Sequence, residues 1–296
     1  MADVTRGSGP GQGGTEQWKD RGPDTSHGSP VQSVGQETRG AASLAHVPVT
    51  VVIPTLNEAA RIAELVADLA WAGEVIVVDG GSSDGTDALA ARAGARVMSV
   101  TERTIADQRN AGIEAARHLW VLTMDADERV TPELREELDR LAREANPAFG
   151  AYRVRSRNWY LGRELRHGPY GRDWKTRVFT REHRYEITRV HEHIVSTQPV
   201  GRLQGMLLHH PYRGVMHHVS KVITYARWGA RDLHARGRRA RVSDFTVRPA
   251  WRFFRDYILW SGWRDGVPGF IASAIGAFAA FLKYAGLWGI DHDLEL

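Results

Sequence analysis

Short, predominantly apolar runs alternate with segments of helical periodicity from residue 47 to residue 145, and this alternation limits the fold more than any other feature. Each run has the length and β-branched content of a strand buried on both faces. Helices are predicted between the runs, with Asn57, Thr86 and Thr131 as N-caps. Such alternation with short links predicts a doubly wound, mostly parallel α/β sheet. The predicted strands are VTVVIP (49–54), EVIVVD (74–79), ARVMSV (95–100) and WVLTMD (120–125).

Polar segments follow three of these strands, and ligands of such sheets bind outside the carboxyl ends of the strands. The segments are PTLNE (54–58), DGGSSDG (79–85) and DADE (125–128). Asp125 and Asp127, two residues apart beside a turn, could approach one divalent cation, and oxygen ligands suit Mg²⁺ or Mn²⁺. Taken alone, both could be solvated acids at a helix start, and Asp79 could be a turn acid. Their place at strand ends favours a ligand site.

The first 45 residues are rich in Gly, Ser, Gln and Pro and contain no apolar stretch. They therefore lack the pattern of a signal peptide and cannot bury enough surface to order themselves, so we expect a disordered tail over 1–45. Cysteine is absent, which excludes a disulfide framework, a zinc ribbon and a cysteine nucleophile. A chain without cysteine suits a reducing cytoplasm.

Charge divides the chain into two unlike halves. Residues 1–150 carry 14 Lys and Arg against 23 Asp and Glu, a net charge of −9, whereas residues 151–296 carry 25 against 12, a net charge of +13. The basic half favours anionic partners, namely phosphate, an acidic glycan, phospholipid headgroups or a nucleic acid. A merely soluble basic surface is the alternative.

The C-terminal segment combines apolar and aromatic residues. Val267 to Leu282 is a run of 16 uncharged residues, shorter than the roughly 20 that a spanning helix needs. WRFFRDYILWSGWR, just before it, mixes Trp, Phe, Tyr and Arg as at a lipid interface. This pattern predicts peripheral attachment to an anionic membrane surface. A helical hairpin packed on the catalytic domain, or a homodimer contact, is the alternative.

Four motifs in the first half resemble the nucleotide-sugar-binding half of family 2 glycosyltransferases. They are VVIPTLNEAARI, EVIVVDGGSSDGT, a helix carrying QRNAGI, and WVLTMDADERVTPEL. The second half, with RNWYLGRELRHGPYGRDWKTRVF, VHEHI and GRLQGMLLHHPYR, resembles the lipopolysaccharide-core glucosyltransferase branch. The resemblance covers residues 47–290. It implies a glycosyltransferase A-type fold with a catalytic domain at 46–212, made of a donor half (46–147) and an acceptor half (148–212), followed by a helical, membrane-associating region (213–296).

The resemblance also implies roles for individual residues. Asp125 and Asp127 match the acids that bind the metal and the diphosphate, with Asp127 the more direct ligand of Mg²⁺ or Mn²⁺. His191, which follows the candidate base, is a further metal-ligand candidate. The residues matched to the nucleotide-sugar site are Pro54, Thr55, Asn57, Glu58, Asp79, Arg109, Asn110 and Asp125.

The chain lacks the Glu-Asp pair that family members use as a base, and it lacks the Gln-X-X-Arg-Trp motif of processive relatives. Asp173 is the substitute candidate, because an acid among Arg172, Lys175 and Arg177 would stay ionised. A structural ion pair with those cations is the alternative interpretation. Glu192 is the second candidate for the base.

The resemblance implies an inverting glycosyltransferase that moves a hexose, with glucose favoured, from a nucleotide-sugar, preferably UDP-linked, to a lipid-linked or envelope glycan. The expected location is cytoplasmic, on the inner face of the plasma membrane, with no nucleic-acid partner. A dinucleotide oxidoreductase would carry Gly-X-Gly-X-X-Gly after the first strand, and this chain has Pro-Thr-Leu-Asn-Glu there. A nucleotidyltransferase would need a Gly-rich, Arg-containing loop. A non-catalytic membrane- or glycan-binding module on a degenerate transferase fold is the other alternative.

Overall fold

A computed structural model describes residues 46–101, 104–186 and 193–294, all of which lie in one compact unit. The tail predicted at 1–45 and the candidates His191 and Glu192 lie outside the described residues. The strands are β1 (Val47–Thr55), β2 (Ala72–Asp79), β3 (Arg96–Ser99), β4 (Trp120–Thr123), β5 (Glu128–Val130), β6 (Ala151–Tyr160), β7 (Arg163–Leu165), β8 (Trp174–Thr180), β9 (Arg184–Tyr185), β10 (Ile194–Val195) and β11 (Gly201–His209). The helices are α1 (Ala59–Asp68), α2 (Thr86–Arg92), α3 (Ile105–Ala115), α4 (Pro132–Arg143), α5 (Val215–Ala235), α6 (Val242–Phe253) and α7 (Gly266–Asp291).

Nine of the described strands form one sheet in the order β3-β2-β1-β4-β8-β6-β11-β5, with β7 paired to β6. The four predicted strands, β3, β2, β1 and β4, are all parallel. Helices α1, α2 and α4 pack on one face of this part and α3 packs on the other, with a separate apolar cluster under each face. The predicted doubly wound α/β sheet is confirmed.

The acceptor half adds antiparallel strands to the same sheet. Strand β8 pairs antiparallel with both β4 and β6, and β11 returns parallel to β6. Strands β9 and β10 form a separate two-stranded antiparallel pair. The sheet is therefore mixed, and its parallel donor half runs directly into the acceptor half without a break in strand pairing.

The short link between β4 and β5 requires the sheet to curl. Thr123 and Glu128 can be separated by at most about 17 Å at full extension, whereas four strand spacings in a flat sheet amount to about 19 Å. The link is also a turn, because the Glu128 N–H donates to the Asp125 carbonyl oxygen at 3.0 Å. The curl brings β5 and β11 over the end of β4, and it places the DAD segment at the junction.

Two of the predicted helix caps are wrong. Asn57 does not cap α1: its φ is 57°, and its side-chain oxygen accepts from the Ser83 N–H at 2.9 Å. Thr86 is the first residue of α2, and its hydroxyl accepts from the Glu58 N–H at 2.8 Å. Both side chains join the loop after β1 to the loop after β2. Thr131 does cap α4, since its hydroxyl accepts from the Leu134 N–H at 3.3 Å.

The C-terminal helices dock on the acceptor half through buried polar contacts. Asp265, just before α7, accepts from the His167 N–H at 2.9 Å and lies 2.7 Å from His167 Nδ1. Helix α7 packs against both α5 and α6. Among the described residues, Gly262–Asp291 is the one helical stretch long and apolar enough to cross a membrane by length and composition, and 33% of its most apolar window is buried. A core helix of a soluble protein meets the same criterion.

Candidate functional site

The ends of β1 and β2 meet at Asp79. Its carboxylate accepts from the backbone N–H groups of Gly81 and Ser82, at 2.9 and 2.8 Å, and from the hydroxyls of Ser82 and Thr55, at 2.5 and 3.2 Å. Gly81 has a φ of 97°, so this turn needs a residue without Cβ. Burial raises the pKa of Asp79, but these hydrogen bonds outweigh it and hold the pKa below its ordinary value. Asp79 is therefore an ionised and well-fixed acid.

Asp125, at the end of β4, lies between two arginines. Arg109 Nη2 of α3 approaches Oδ1 at 2.6 Å, and Arg177 Nη2 of β8 approaches Oδ2 at 2.8 Å. Burial raises the pKa of Asp125, but the charges of Arg177 and Arg109 outweigh it, so the pKa lies well below its usual range. One third of the side chain (33%) stays exposed. Asp125 can therefore still meet a ligand, although both of its oxygens are held by arginines.

Sequence reasoning missed a buried ion pair beneath Asp125. Glu128 is fully buried, with Oε1 3.1 Å from Arg177 Nη2 and Oε2 accepting from the Asp125 N–H at 2.8 Å. The charges of Asp125 and Glu128 raise the pKa of Arg177 well above its usual range, although burial opposes this. The arginine pattern on β8 was visible in KTRVFTR, but its partners lie about 50 residues away. The pair fixes the turn that carries the DAD segment.

Asp127 is surrounded by basic side chains at longer distances. Its carboxylate lies 3.5 Å from His209 Nε2, 3.8 Å from Lys221 Nζ and 4.0 Å from Arg61 Nη1. Burial raises the pKa of Asp127, but the hydrogen bond and charge of His209 outweigh it, and the pKa lies below its ordinary value. Asp127 is thus ionised, and its cation contacts are loose compared with those of Asp125.

Glu58 follows β1 and faces the same cations. Among the described residues, no group hydrogen-bonds its buried Oε2. Burial is the main cause that raises the pKa of Glu58; Asp127 raises it further, while Arg61 and Lys221 lower it. Glu58 and Asp127 therefore lie close enough to interact electrostatically, and Glu58 offers an oxygen with no partner.

The described residues contain no group of three His, Cys, Asp or Glu side chains placed to hold a metal ion. Mg²⁺ usually takes only one or two carboxylates, and substrate phosphates and water complete its coordination. Asp127 and the unpartnered Glu58 oxygen supply hard donors of that kind. The donor set therefore fits a divalent ion that binds together with a diphosphate.

The remaining candidates are Asn110, Asp173, Pro54 and Thr55, of which Thr55 bonds to Asp79 as described above. Asn110 is engaged with the backbone of Tyr185, donating to its carbonyl oxygen at 3.0 Å and accepting from its N–H at 2.8 Å. Asp173 lies just before β8, with its carboxylate 3.2 Å from Lys175 Nζ. Pro54 and Thr55 form the end of β1. The nucleotide-site and base assignments of these residues stay predictions.

The sequence model of "Glycosyl transferase family 2" matches residues 50–203, which include every acid of this candidate site. The chain belongs to this family. It is therefore a glycosyltransferase with a glycosyltransferase A-type fold, and the resemblance read from its motifs is confirmed.

Two curated relatives match this family member over most of their length. The lipopolysaccharide core biosynthesis glycosyltransferase LpsC of Rhizobium meliloti is 31% identical over 250 residues, which cover 82% of this chain and 92% of that protein. An uncharacterized glycosyltransferase of Rickettsia felis is 28% identical over 255 residues, covering 81% of this chain and 89% of the relative. Both alignments extend past residue 203, where the family match ends, so the similarity also includes part of the C-terminal region.

Solved structures give partial likenesses to this glycosyltransferase. Mannosyl-3-phosphoglycerate synthase from Rubrobacter xylanophilus is 24% identical, with a TM-score of 0.31, over 38% of this chain and 40% of that chain. Glucosyl-3-phosphoglycerate synthase from Mycobacterium tuberculosis, in complex with Mn²⁺, UDP and glucosyl-3-phosphoglycerate, is 26% identical, with a TM-score of 0.30, over 38% of this chain and 44% of that chain. At these TM-scores, neither likeness adds to what the family match shows.

Proposed function

We propose that this glycosyltransferase moves a hexose, with glucose favoured, from a UDP-linked donor to a lipid-linked or cell-envelope glycan, with inversion at the anomeric carbon. One observation carries the proposal: three ionised acids lie at the carboxyl ends of the two parallel strands that flank β1, Asp79 at the end of β2 and Asp125 and Asp127 after β4. This is the edge where α/β sheets bind nucleotides.

Each of these acids would contact a different part of the donor. Asp79 and the glycine turn after it offer a carboxylate and close backbone approach to the base or ribose. Asp125, held rigidly by Arg109 and Arg177, lines the ribose and diphosphate. Asp127 and Glu58 would hold Mg²⁺ or Mn²⁺, which supplies positive charge to the diphosphate as it leaves.

Asp173 would accept the proton of the acceptor hydroxyl as that oxygen attacks the anomeric carbon. Its carboxylate pairs with Lys175 at 3.2 Å, and its side chain is 25% exposed. Tyr212 supports a place for Asp173 near the donor. Burial raises the pKa of Tyr212, and the charges of both Asp127 and Asp173 raise it further, so this tyrosine is within electrostatic reach of both acids. Glu192 and His191 stay the second candidate base and the further metal ligand.

The acceptor class rests on the likeness to LpsC, whose name assigns that protein to lipopolysaccharide core biosynthesis. An envelope acceptor of this kind is membrane-bound and anionic, in keeping with the net charge of +13 on the second half. We place the enzyme in the cytoplasm, attached peripherally to the inner face of the plasma membrane, without a nucleic-acid partner. Helices α6 and α7, with the residue that follows α6, present exposed aromatic side chains for this contact: Trp251, Phe254, Phe270, Phe278 and Phe281. A homodimer through the same face is the alternative.

A screen of UDP- and GDP-sugars tests the proposal directly. The purified chain is incubated with each donor, with Mn²⁺ or with a chelator, and release of the nucleoside diphosphate is measured. We expect release from UDP-glucose above other donors, and only with the metal. Turnover of GDP-sugars alone would overturn the donor assignment. If the chain neither hydrolyses nor binds any nucleotide-sugar, the alternative of a non-catalytic binding module replaces the proposed transferase.

A further inference from the structure

Helix α5 brings a lysine to the candidate donor site from outside the family match, which ends at residue 203. Lys221 Nζ lies 3.8 Å from Asp127 Oδ2 and donates to the Pro211 carbonyl oxygen at 3.0 Å. It also lies 5.7 Å from the centre of the Tyr212 ring. The helical region therefore reaches the acids at the end of β4.

Lys221 is positioned by the buried side of α5. His218, on the preceding turn, stacks on Tyr212 with ring centres 3.7 Å apart, and its Nδ1 lies 3.1 Å from the Tyr160 hydroxyl. Together with the bond to Pro211, these contacts fix both the rotation of α5 and the direction of the lysine stem. The ammonium group has donors besides the one given to Pro211, and the side chain remains 34% exposed.

Three basic side chains lie near Asp127 without a tight contact to it. Lys221, Arg61 and His209 all lie between 3.5 and 4.0 Å from its oxygens, beyond a tight charge-assisted hydrogen bond. Among the described residues, Asp127 is the one carboxylate within 4.0 Å of Lys221 Nζ. A divalent ion on Asp127 would repel the ammonium group, and a diphosphate bound to that ion would attract it.

We propose that Lys221 binds the diphosphate of the donor, so that α5 completes the nucleotide-sugar site; this rests on the proposed function above. The ammonium group neutralises negative charge that develops on the phosphate oxygen as the bond to the sugar breaks. No covalent bond to the lysine forms, and no proton leaves it. The helical region then serves the chemistry as well as the membrane.

Calorimetric titration with UDP and with uridine, both in Mn²⁺, tests this inference. We expect Lys221→Met to weaken UDP binding about tenfold or more, the scale of one hydrogen bond to a charged group. Binding of uridine, which has no phosphate, should not change. Lys221→Arg should restore most of the UDP affinity. Arg227→Met, which removes an exposed charge from the same helix, is the matched control and should bind both ligands normally.

Two results would overturn the inference: UDP binding that is unchanged in Lys221→Met, or UDP and uridine binding that weaken together, since the latter indicates a structural role. Thermal unfolding confirms that each variant is folded. If Lys221→Met does not fold, Lys221→Gln, which keeps a donor for Pro211, takes its place. Failure of the wild-type chain to bind UDP would instead refute the proposed function, and the inference would fall with it.

Discussion

Asp125 and Asp127 are two residues apart, yet their surroundings give them different tasks. Asp125 is bound by two guanidinium groups at 2.6 and 2.8 Å, and Glu128 beneath it shares Arg177. Asp127 has only looser cation contacts, at 3.5 Å and beyond. Asp125 is therefore held tightly in place, and under the proposed function Asp127 would exchange its looser partners for a metal ion.

Arg177→Met should destabilise the fold strongly. Removing one partner of a buried ion pair costs about 3–5 kcal/mol, because the remaining charge stays buried. Here it would leave Glu128 fully buried without its cation. Urea denaturation measures the change in the free energy of unfolding. Arg153→Met, at an exposed position on β6, is the control; equal stability of the two variants would contradict the role of the pair.

Asp173→Asn should preserve UDP binding and reduce turnover about 10²-fold or more, the usual scale for loss of a general base. The substitution keeps the size of the side chain and removes its capacity to accept a proton. Single-turnover kinetics and UDP titration separate the two effects. If Glu192→Gln shows this pattern and Asp173→Asn does not, Glu192 is the base.

Among the elements, α5 depends on a neutral histidine. Burial, together with the charges of His217 and Lys221, lowers the pKa of His218 from 6.5 to about 4. Since the unfolded chain binds the proton more tightly, stability is full above pH 6.5 and declines as the pH falls from 6.5 toward 4. The attachment of α5 is therefore sensitive to mild acid.

We expect the free energy of unfolding to fall by about 2 kcal/mol between pH 7 and pH 5 through His218 alone. Urea denaturation at the two pH values measures it. His218→Gln should be less stable at pH 7 but should lose less stability on acidification. The depressed pKa values of Asp79, Asp125 and Asp127 affect stability only below about pH 4. Equal pH dependence of the variant and the wild-type chain would refute the histidine's role.

Elements were predictable where the sequence pattern is local. Strands β1 to β4 lie in short, predominantly apolar runs, and Thr131 with Pro132 marks the start of α4, so each could be recognised within a dozen residues. The three-residue β5 had no such pattern, because it forms only by pairing with the distant β11. The same limit applies to the site. The acids follow strand ends and were predicted, whereas Arg177, His209 and Lys221 reach them through long-range packing.

At the scale of the whole molecule, the C-terminal region has unlike inner and outer sides. Their inner side carries Asp256 and Asp265, which are buried and bonded to neighbouring side chains. Their outer side carries a run of aromatic contacts, including Phe253 with Phe270 and Phe278 with Phe281. Deleting residues 247–296 would remove the inner polar contacts together with the outer aromatic side chains. Point substitutions of exposed aromatic residues therefore test membrane attachment more directly.

The full chain should sediment with phosphatidylglycerol vesicles at low salt and dissociate at high salt, because the basic half contributes part of the attraction. Replacing Trp251, Phe254 and Phe278 together by Ser should abolish sedimentation while the fold is retained. Leu119→Ser, at an exposed position of the catalytic domain, is the control. A wild-type chain that stays in the supernatant at low salt contradicts membrane attachment, and light scattering then tests the homodimer.

The central claim is a metal-assisted transferase site centred on Asp127, and release of UDP from UDP-glucose by Asp127→Ala tests it most directly. Asp139→Ala, which removes an exposed carboxylate from α4, is the matched control. We expect the wild-type chain and Asp139→Ala to release UDP in Mn²⁺ but not in chelator. Asp127→Ala should remain folded and lose about 10²-fold or more of that rate, the scale for removing one group that stabilises the leaving charge. Full metal-dependent turnover by Asp127→Ala would contradict the account.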